Sequence, residues 1–192
     1  MYPIDLFSFS IYYTFGMESS PPKPAILSLQ YYSFPDAVGG AWKLTHEINK
    51  RLVKRGRRVV LITCKPENEY PDNEIIDGVE FARIPVAISK NPFRLWLAVR
   101  KKLKYYLTGE GGSWVVHVHN PLIGAFALTL QQYRITPKLY HFHSSWYDEE
   151  KINFTEARQS GLKLYCRLQI IRWMEWACYL SSKSVLFLSK YT

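Results

Sequence analysis

Ala25-Ile-Leu-Ser-Leu-Gln30, Pro35-Asp-Ala-Val-Gly-Gly40 and Val59-Val-Leu-Ile-Thr63 belong to one stretch, residues 25–63, whose reading decides the fold. The first piece is a short apolar run after a proline-rich segment, and it predicts a strand. The second breaks that strand with a proline and two glycines. Between it and the third, Leu44, Ile48 and Leu52 recur at steps of four, the spacing of an amphipathic helix. The other helix face carries Lys43, Lys50, Arg51, Lys54 and Arg55. Gly56 stands where a helix-ending glycine belongs. The third piece is continuously apolar and β-branched, the pattern of a strand buried on both faces of a parallel sheet. Strand, helix, strand in this order is a right-handed βαβ unit.

The same alternation continues downstream. Residues 65–77 are polar and acidic and read as loop. Gly78-Val-Glu-Phe-Ala-Arg-Ile-Pro85 alternates and predicts a third strand. Asn91-Pro92 opens a basic helix that runs to Leu107. Trp114-Val-Val-His-Val-His119 reads as a fourth strand, residues 121–133 as one apolar helix, and Lys138-Leu-Tyr-His-Phe-His143 as a fifth strand. Residues 154–182 read as one long helix kinked near Gly161, and Ser184-Val-Leu-Phe-Leu-Ser189 as a sixth strand. The series predicts an α/β chain: a Rossmann-like three-layer αβα sandwich with a mainly parallel sheet.

The 192 residues fit one domain, placed at 25–192, and 47% hydrophobic content excludes wholesale disorder. Residues 1–24 differ from that body. Tyr2 to Gly16 is apolar and aromatic but interrupted by Asp5, lacks a basic start and is shorter than a membrane span. With the linker Glu18-Ser-Ser-Pro-Pro-Lys-Pro24 it predicts a poorly ordered extension. Cys166 and Cys178 fall in one predicted helix, about 18 Å apart, too far to bridge. Three cysteines so placed indicate a reducing compartment.

The net charge of +9 draws the chain toward anionic partners. Twelve of its 25 Lys and Arg lie in residues 43–58 and 91–107. In the second segment Trp96, Val99, Leu103 and Tyr106 form a stripe. Cations flanking an aromatic stripe suit a helix lying on an anionic membrane, and equally an ordinary helix with its stripe in the core. No nucleic-acid-binding motif is present, so no nucleic acid is expected as a partner.

Ligands of open α/β sheets bind at the carboxyl ends of the strands, which directs attention to three turns. After the first strand, Gly39 and Gly40 precede a helix. Bare backbone approaches a ligand closely, and a helix N-terminus adds unpaired N–H groups suited to phosphate. A tight turn needing positive φ would call for the same residues. Neither the dinucleotide fingerprint nor the P-loop is present. His117-Val-His119 and His141-Phe-His143 each put two imidazoles on one side of a strand, and on neighbouring strands four rings would meet. Imidazole clusters bind zinc, but no acidic residue lies near the first pair and no cysteine near either. One histidine of each pair also falls inside a buried strand, where a bond to backbone is the ordinary role. His143 ends its strand before Ser144-Ser145 and is the one to face a cleft, bonding a sugar hydroxyl or stabilising developing charge. Trp146-Tyr-Asp-Glu-Glu150 offers an aromatic face and carboxylates to a sugar, or simply caps the loop.

Taken in order, the Pro-x-x-x-Gly-Gly turn at 35–40, Arg58-Val-Val-Leu-Ile-Thr63, Val115-Val-His-Val-His119 with Asn120-Pro121, Tyr140-His-Phe-His-Ser144 and the final Ser184-Val-Leu-Phe-Leu-Ser-Lys-Tyr-Thr192 resemble the N-terminal half of family 4 retaining glycosyltransferases of the GT-B type. The resemblance covers residues 25–192. It implies two Rossmann-like halves across a cleft, the N-terminal one binding acceptor and the C-terminal one most of the nucleotide-sugar donor. It implies that Gly39 and Gly40 approach the donor phosphates, that His143 is the catalytic residue at the reaction centre, and that no metal is required. The nucleotide sugar is then a co-substrate and no cofactor is expected. Gly39, Gly40, Asn120, Ser144 and Trp146 are the expected substrate contacts. The sequence stops where the linker to the second half would begin and lacks that half's E-x7-E motif, so a fragment is expected whose donor-binding half lies elsewhere.

The expected function is therefore the acceptor half of a hexosyltransferase-like enzyme, moving sugar from a nucleotide sugar to a sugar or lipid-linked acceptor with retention, and inactive alone. A non-catalytic basic module on anionic membrane surfaces is the alternative, and a zinc hydrolase built on the paired histidines a third reading. The expected location is cytoplasmic, with peripheral association at the inner membrane face.

Overall fold

In the computed structural model, residues 23–109, 112–156 and 161–187 are described. At its centre β2 (Val59–Cys64) is buried at all six positions, as an unbroken apolar run demands. It pairs in parallel with β1 (Ala25–Leu29) on one side and β4 (Val79–Ile84) on the other. β1 also pairs with β5 (Trp114–Val118), β5 with β6 (Lys138–Phe142), and β6 with β7 (Ser184–Phe187), all in parallel. β3 (Asn73–Ile76) adds an antiparallel edge beside β4. The sheet order is β3-β4-β2-β1-β5-β6-β7. It reverses direction between β1 and β5, the switch point of a doubly wound sheet, where a crevice opens beyond the carboxyl ends of the strands.

One face carries α1 (Gly40–Lys54), whose Leu52 and Val53 pack on Val59, Leu61, Val79 and Phe81. The opposite face carries α3 (Pro92–Gly109), α4 (Pro121–Ala127), α5 (Gln131–Ile135) and α7 (Leu162–Ser181). Their side chains close over Leu27, Leu29, Val60, Val116, Val118 and Tyr140. α2 (Val86–Ser89) leads into α3, and α6 (Trp146–Glu156) leads toward α7. The fold is thus the expected Rossmann-like αβα sandwich. The first 22 residues, and with them nearly all of the expected N-terminal extension, lie outside the described residues.

Several local expectations are corrected. The loop over 65–77 contains β3, because Asp77 (φ 51°) and Gly78 (φ 80°) turn the chain straight back into β4. Asp-Gly is a strong signal for a two-residue hairpin, and the polar composition before it masked the strand. The apolar segment 121–133 is two helices, α4 and α5, since Leu130 adopts an extended backbone (φ −98°, ψ 123°) and drops into the core. The long helix over 154–182 is α6 followed by α7; Gly161, at φ 115°, cannot continue a helix. The Trp146–Glu150 segment, expected as loop, is the first turn of α6.

The orientation of α1 also differs from its apolar spacing. Leu44, Ile48 and Leu52 are only half-buried, whereas Thr45, His46 and Asn49 are fully buried. The reason lies in the strand beneath. β1 and the residue after it present Ser28 and Gln30 to this helix, and polar groups inside must find partners. Asn49 Nδ2 donates to Ser28 Oγ at 3.1 Å, and Gln30 Nε2 to Thr45 Oγ1 at 3.4 Å.

In α3, Val99 and Leu103 are fully buried and Trp96 and Tyr106 half-buried. Of the two readings of this stripe, the structure thus matches the ordinary helix with its stripe turned to the core. No helix among the described residues is long and apolar enough to cross a membrane. Cys64 and Cys178 are free and buried, their thiols pushed up to about 12 by burial, while Cys166 is free and exposed.

α4 approaches its neighbours through Gly124. A Cβ there would lie 2.6 Å from Cys178 Sγ and 2.7 Å from Val118 Cγ1. Gly124→Ala is expected to destabilise the fold by about 1–3 kcal/mol through overpacking, read as a lower urea midpoint at unchanged m-value.

Candidate active site

The loop from β1 to α1 is held by a buried ion pair. Arg83, on β4, donates from Nε and Nη2 to the two carboxylate oxygens of Asp36, the Nη2 contact measuring 2.8 Å. Both side chains are fully buried. Arg83 also donates to Pro71 O at 3.1 Å and meets Glu74 Oε2 at 2.9 Å. This two-pronged geometry fixes position as well as charge. The pair was not read from the sequence, although an arginine inside the apolar strand Val79–Ile84 was a visible sign that a buried acid had to meet it.

Gly39 and Gly40 follow that anchored loop. Gly39 is the N-cap of α1 with φ −179° and ψ 150°, extended backbone open to any residue. Neither glycine is among the positive-φ residues, so the tight-turn explanation does not apply. Gly39 instead makes room for Trp42, whose Cε3 would lie 2.8 Å from a Cβ there. At Gly40 an added Cβ would meet no atom within 4 Å. No side chain caps α1, and no acidic residue lies in its first turn. The leading N–H groups and the positive end of the helix dipole are thus free of local anionic competition.

On the same face as α1, β5 and β6 bring the four imidazoles together. His119 Nδ1 lies 3.2 Å from Thr45 Oγ1 and 3.2 Å from His143 Nε2. His119 Nδ1 thus lies within hydrogen-bonding reach of both His143 and the second turn of the helix that Gly40 opens. The His117 and His119 rings are 3.8 Å apart, and those of His141 and His143 stack at 4.4 Å. Desolvation comes first among the causes that push every one of these imidazoles down: His143 to about 4, His117 to about 3, His119 well below the ordinary value, and His141 below it. Neighbouring rings add to the effect at His117, His119 and His143. The cluster is neutral at pH 7. His117, His119 and His141 also place one ring nitrogen each within 4.8 Å of the others, a spacing open to a metal ion.

The remaining candidates have local tasks. Asn120 Oδ1 accepts from the N–H groups of Leu122 (3.1 Å) and Ile123 (3.3 Å), capping α4. Ser144 is exposed beside His143. Trp146 begins α6; its backbone N–H donates to Glu175 Oε1, as does that of Tyr147 at 3.4 Å, and its indole N–H donates to Glu150 Oε1 at 3.3 Å. Glu175 reaches this helix start from α7, and burial raises its carboxyl pKa. It was not foreseen, because nothing local marks a residue 29 positions away as a cap. On the opposite side of β6 from the imidazoles, Tyr140, Phe142, Tyr147, Arg172, Glu175 and Trp176 line part of a cavity of about 700 Å³.

Residues 38–192 match the sequence profile of Glycosyltransferase Family 4. Among solved structures the chain is similar to sucrose-phosphate synthase from Thermosynechococcus elongatus, with a TM-score of 0.64 and 18% sequence identity over 85% of this chain. The match spans 42% of that chain, less than half of it. No curated protein sequence matches. The likeness carries the fold, a Rossmann-like half of the GT-B arrangement.

Two outcomes are expected from this geometry. Asp36→Ala leaves the buried Arg83 charge without its main partner and should cost about 3–5 kcal/mol in urea unfolding. The imidazoles give a pH dependence of definite sign. Between about pH 6.5 and 4 the unfolded chain binds protons that the folded cluster refuses, so stability is full above 6.5 and falls as pH is lowered through this window. The slope is up to about 1.4 kcal/mol per pH unit for each deeply buried ring. A flat urea midpoint from pH 7 to 4.5 would show the rings protonated in the fold.

Proposed function

Because the chain belongs to Glycosyltransferase Family 4, we propose that it is the acceptor-binding half of a retaining, hexosyltransferase-like enzyme that uses a nucleotide-sugar donor. Glycosyl transfer is the activity of the family; retention, the donor class and the division of labour between two halves are our reading. One observation carries it. The uncapped start of α1 behind Gly39 and Gly40, and His143, whose neighbour His119 also meets Thr45 of that helix, share one edge of the sheet at its switch point.

In this reading the bond between the anomeric carbon and the diphosphate oxygen breaks while a bond to the acceptor oxygen forms on the same sugar face, and the acceptor hydroxyl's proton passes to the leaving diphosphate. Negative charge grows on the leaving diphosphate. The N–H groups of the first turn of α1 meet that charge, and the bare Gly40 backbone lets it come close. His143, neutral at working pH, acts as a hydrogen-bonding group to a sugar hydroxyl rather than as a cation. Ser144, exposed beside His143, is assigned a further substrate contact; Asn120 and Trp146, whose Oδ1 and indole N–H are taken up within the chain, are left only their remaining atoms and the indole face to offer a substrate. The reaction so described needs no metal or organic cofactor, and most donor contacts belong to a second half. A sugar or lipid-linked acceptor fits an acceptor half with many exposed cations.

The test uses this chain alone and combined with a donor-binding GT-B half from the same source, assayed with a panel of nucleotide-activated hexoses. The isolated chain is expected to show no turnover, and the combination to form a product with the donor's anomeric configuration by NMR. His143→Ala should lower kcat by roughly 100- to 1,000-fold, the scale of losing one group that meets transition-state charge. Transfer at ordinary enzyme rates by the 192-residue chain alone would overturn the half-enzyme reading, and an inverted product would overturn retention.

A further inference from the structure

Of the five histidines in the chain, four gather beside α1, and the transferase reading uses only His143 directly. The fifth, His46, is engaged elsewhere, with Nε2 3.0 Å from Asp77 Oδ2. His117, His119 and His141 are buried to 4–5% exposure. Each has a ring nitrogen that is buried and without a hydrogen-bond partner: Nε2 of His117, Nε2 of His119 and Nδ1 of His141. An unpartnered buried polar nitrogen is rare and calls for an explanation. Here three occur on rings whose nitrogens approach within 4.8 Å of one another.

We propose that His117, His119 and His141 bind one divalent transition-metal ion of the zinc class, at a site that adjoins the sugar-transfer centre through His119 and takes no part in the transfer step. An all-imidazole donor set suits zinc, nickel, copper or cobalt and does not suit magnesium or calcium, which take oxygen ligands. Three histidines leave a fourth position open, as in three-ligand zinc sites. In a tetrahedral sphere with bonds of about 2.0–2.1 Å the nitrogens stand closer than 4.8 Å, a difference that rotation of the rings about their Cβ–Cγ bonds can take up. Metal ligands must be unprotonated, and burial already keeps these rings neutral.

The outer contacts fit as well. When Nε2 of His119 holds an ion, its proton sits on Nδ1, and that N–H points to Thr45 Oγ1 or His143 Nε2, each 3.2 Å away. A ligand histidine that donates its second nitrogen to a neighbour is the usual way such rings are oriented. The ion would then set the tautomer of His119, and where that N–H is given to His143 Nε2 it would hold the His143 proton on Nδ1.

The full chain, stripped with a chelator, is titrated with Co²⁺ and followed by visible absorption, with thermal unfolding measured in parallel. Saturation at one ion per chain is expected, with the intense d–d bands of four- or five-coordinate cobalt, their loss on adding Zn²⁺, and a raised Tm with either ion. Cys166→Ser, which removes the exposed thiol, should leave the titration unchanged. His119→Gln should weaken cobalt binding by at least 100-fold, beyond the effect of losing an outer-shell contact. No visible band and no shift in Tm in the wild-type chain would overturn the proposal, as would a signal that Cys166→Ser abolishes. The readout needs no donor half and no turnover, so its failure is separable from failure of the transferase reading.

Discussion

The rest of the site depends on one nitrogen. His119 Nδ1 lies 3.2 Å from both Thr45 Oγ1 and His143 Nε2, and it joins α1 to the carboxyl ends of β5 and β6. A neutral imidazole nitrogen either donates one hydrogen or accepts through one lone pair, so the two neighbours compete for it. Only one of the two bonds forms at a time, and its direction follows the tautomers of His119 and His143. The switch point of the sheet makes this meeting possible. Because strand order reverses between β1 and β5, the residues beyond β1, the start of α1 and the ends of β5 and β6 converge on one edge.

That edge contrasts with the interior of the sheet. Across the opposite face, Leu27, Leu29, Val116, Val118 and Tyr140 pack against helices in an ordinary apolar core. On the α1 face the same strands present Ser28, His117 and His141, followed by Gln30, His119 and His143, and several of their polar atoms have no partner within the fold. A buried unsatisfied nitrogen costs about 1–3 kcal/mol, so the cluster works against stability and is held in place by what surrounds it. The apolar face stabilises the sheet, and the α1 face gathers the buried polar side chains.

Two long-range contacts hold the surroundings. The Asp36–Arg83 pair ties the loop before Gly39 to β4, and neither side chain is open to solvent. Buried ion pairs of this kind add little net stability, but they penalise any arrangement that separates them, which fixes the path of the loop before Gly39. Glu175 does the same for α6, accepting from the first two backbone N–H groups of that helix from a position on α7. The start of α6 beside Ser144 and Trp146 is thereby set by packing between helices rather than by its own sequence.

What could be read from the sequence alone was what depends on short range. Apolar runs such as Val59–Cys64, glycine stops such as Gly56 and the alternation of strand with helix determined the fold class, and motifs in their order pointed to the family. The two-residue step of His117-Val-His119 and His141-Phe-His143 determined that each pair would share a strand face. Tertiary structure alone decided the rest. The bond between Thr45 and His119 spans 74 positions and the Asp36–Arg83 pair spans 47, and no local pattern encodes a partner so distant. The rotation of α1 was likewise decided only in the fold: hydrophobic spacing favoured Leu44, Ile48 and Leu52, but Ser28 and Gln30 beneath the helix required Asn49 and Thr45 as partners, and satisfying buried polar groups outweighed the apolar stripe.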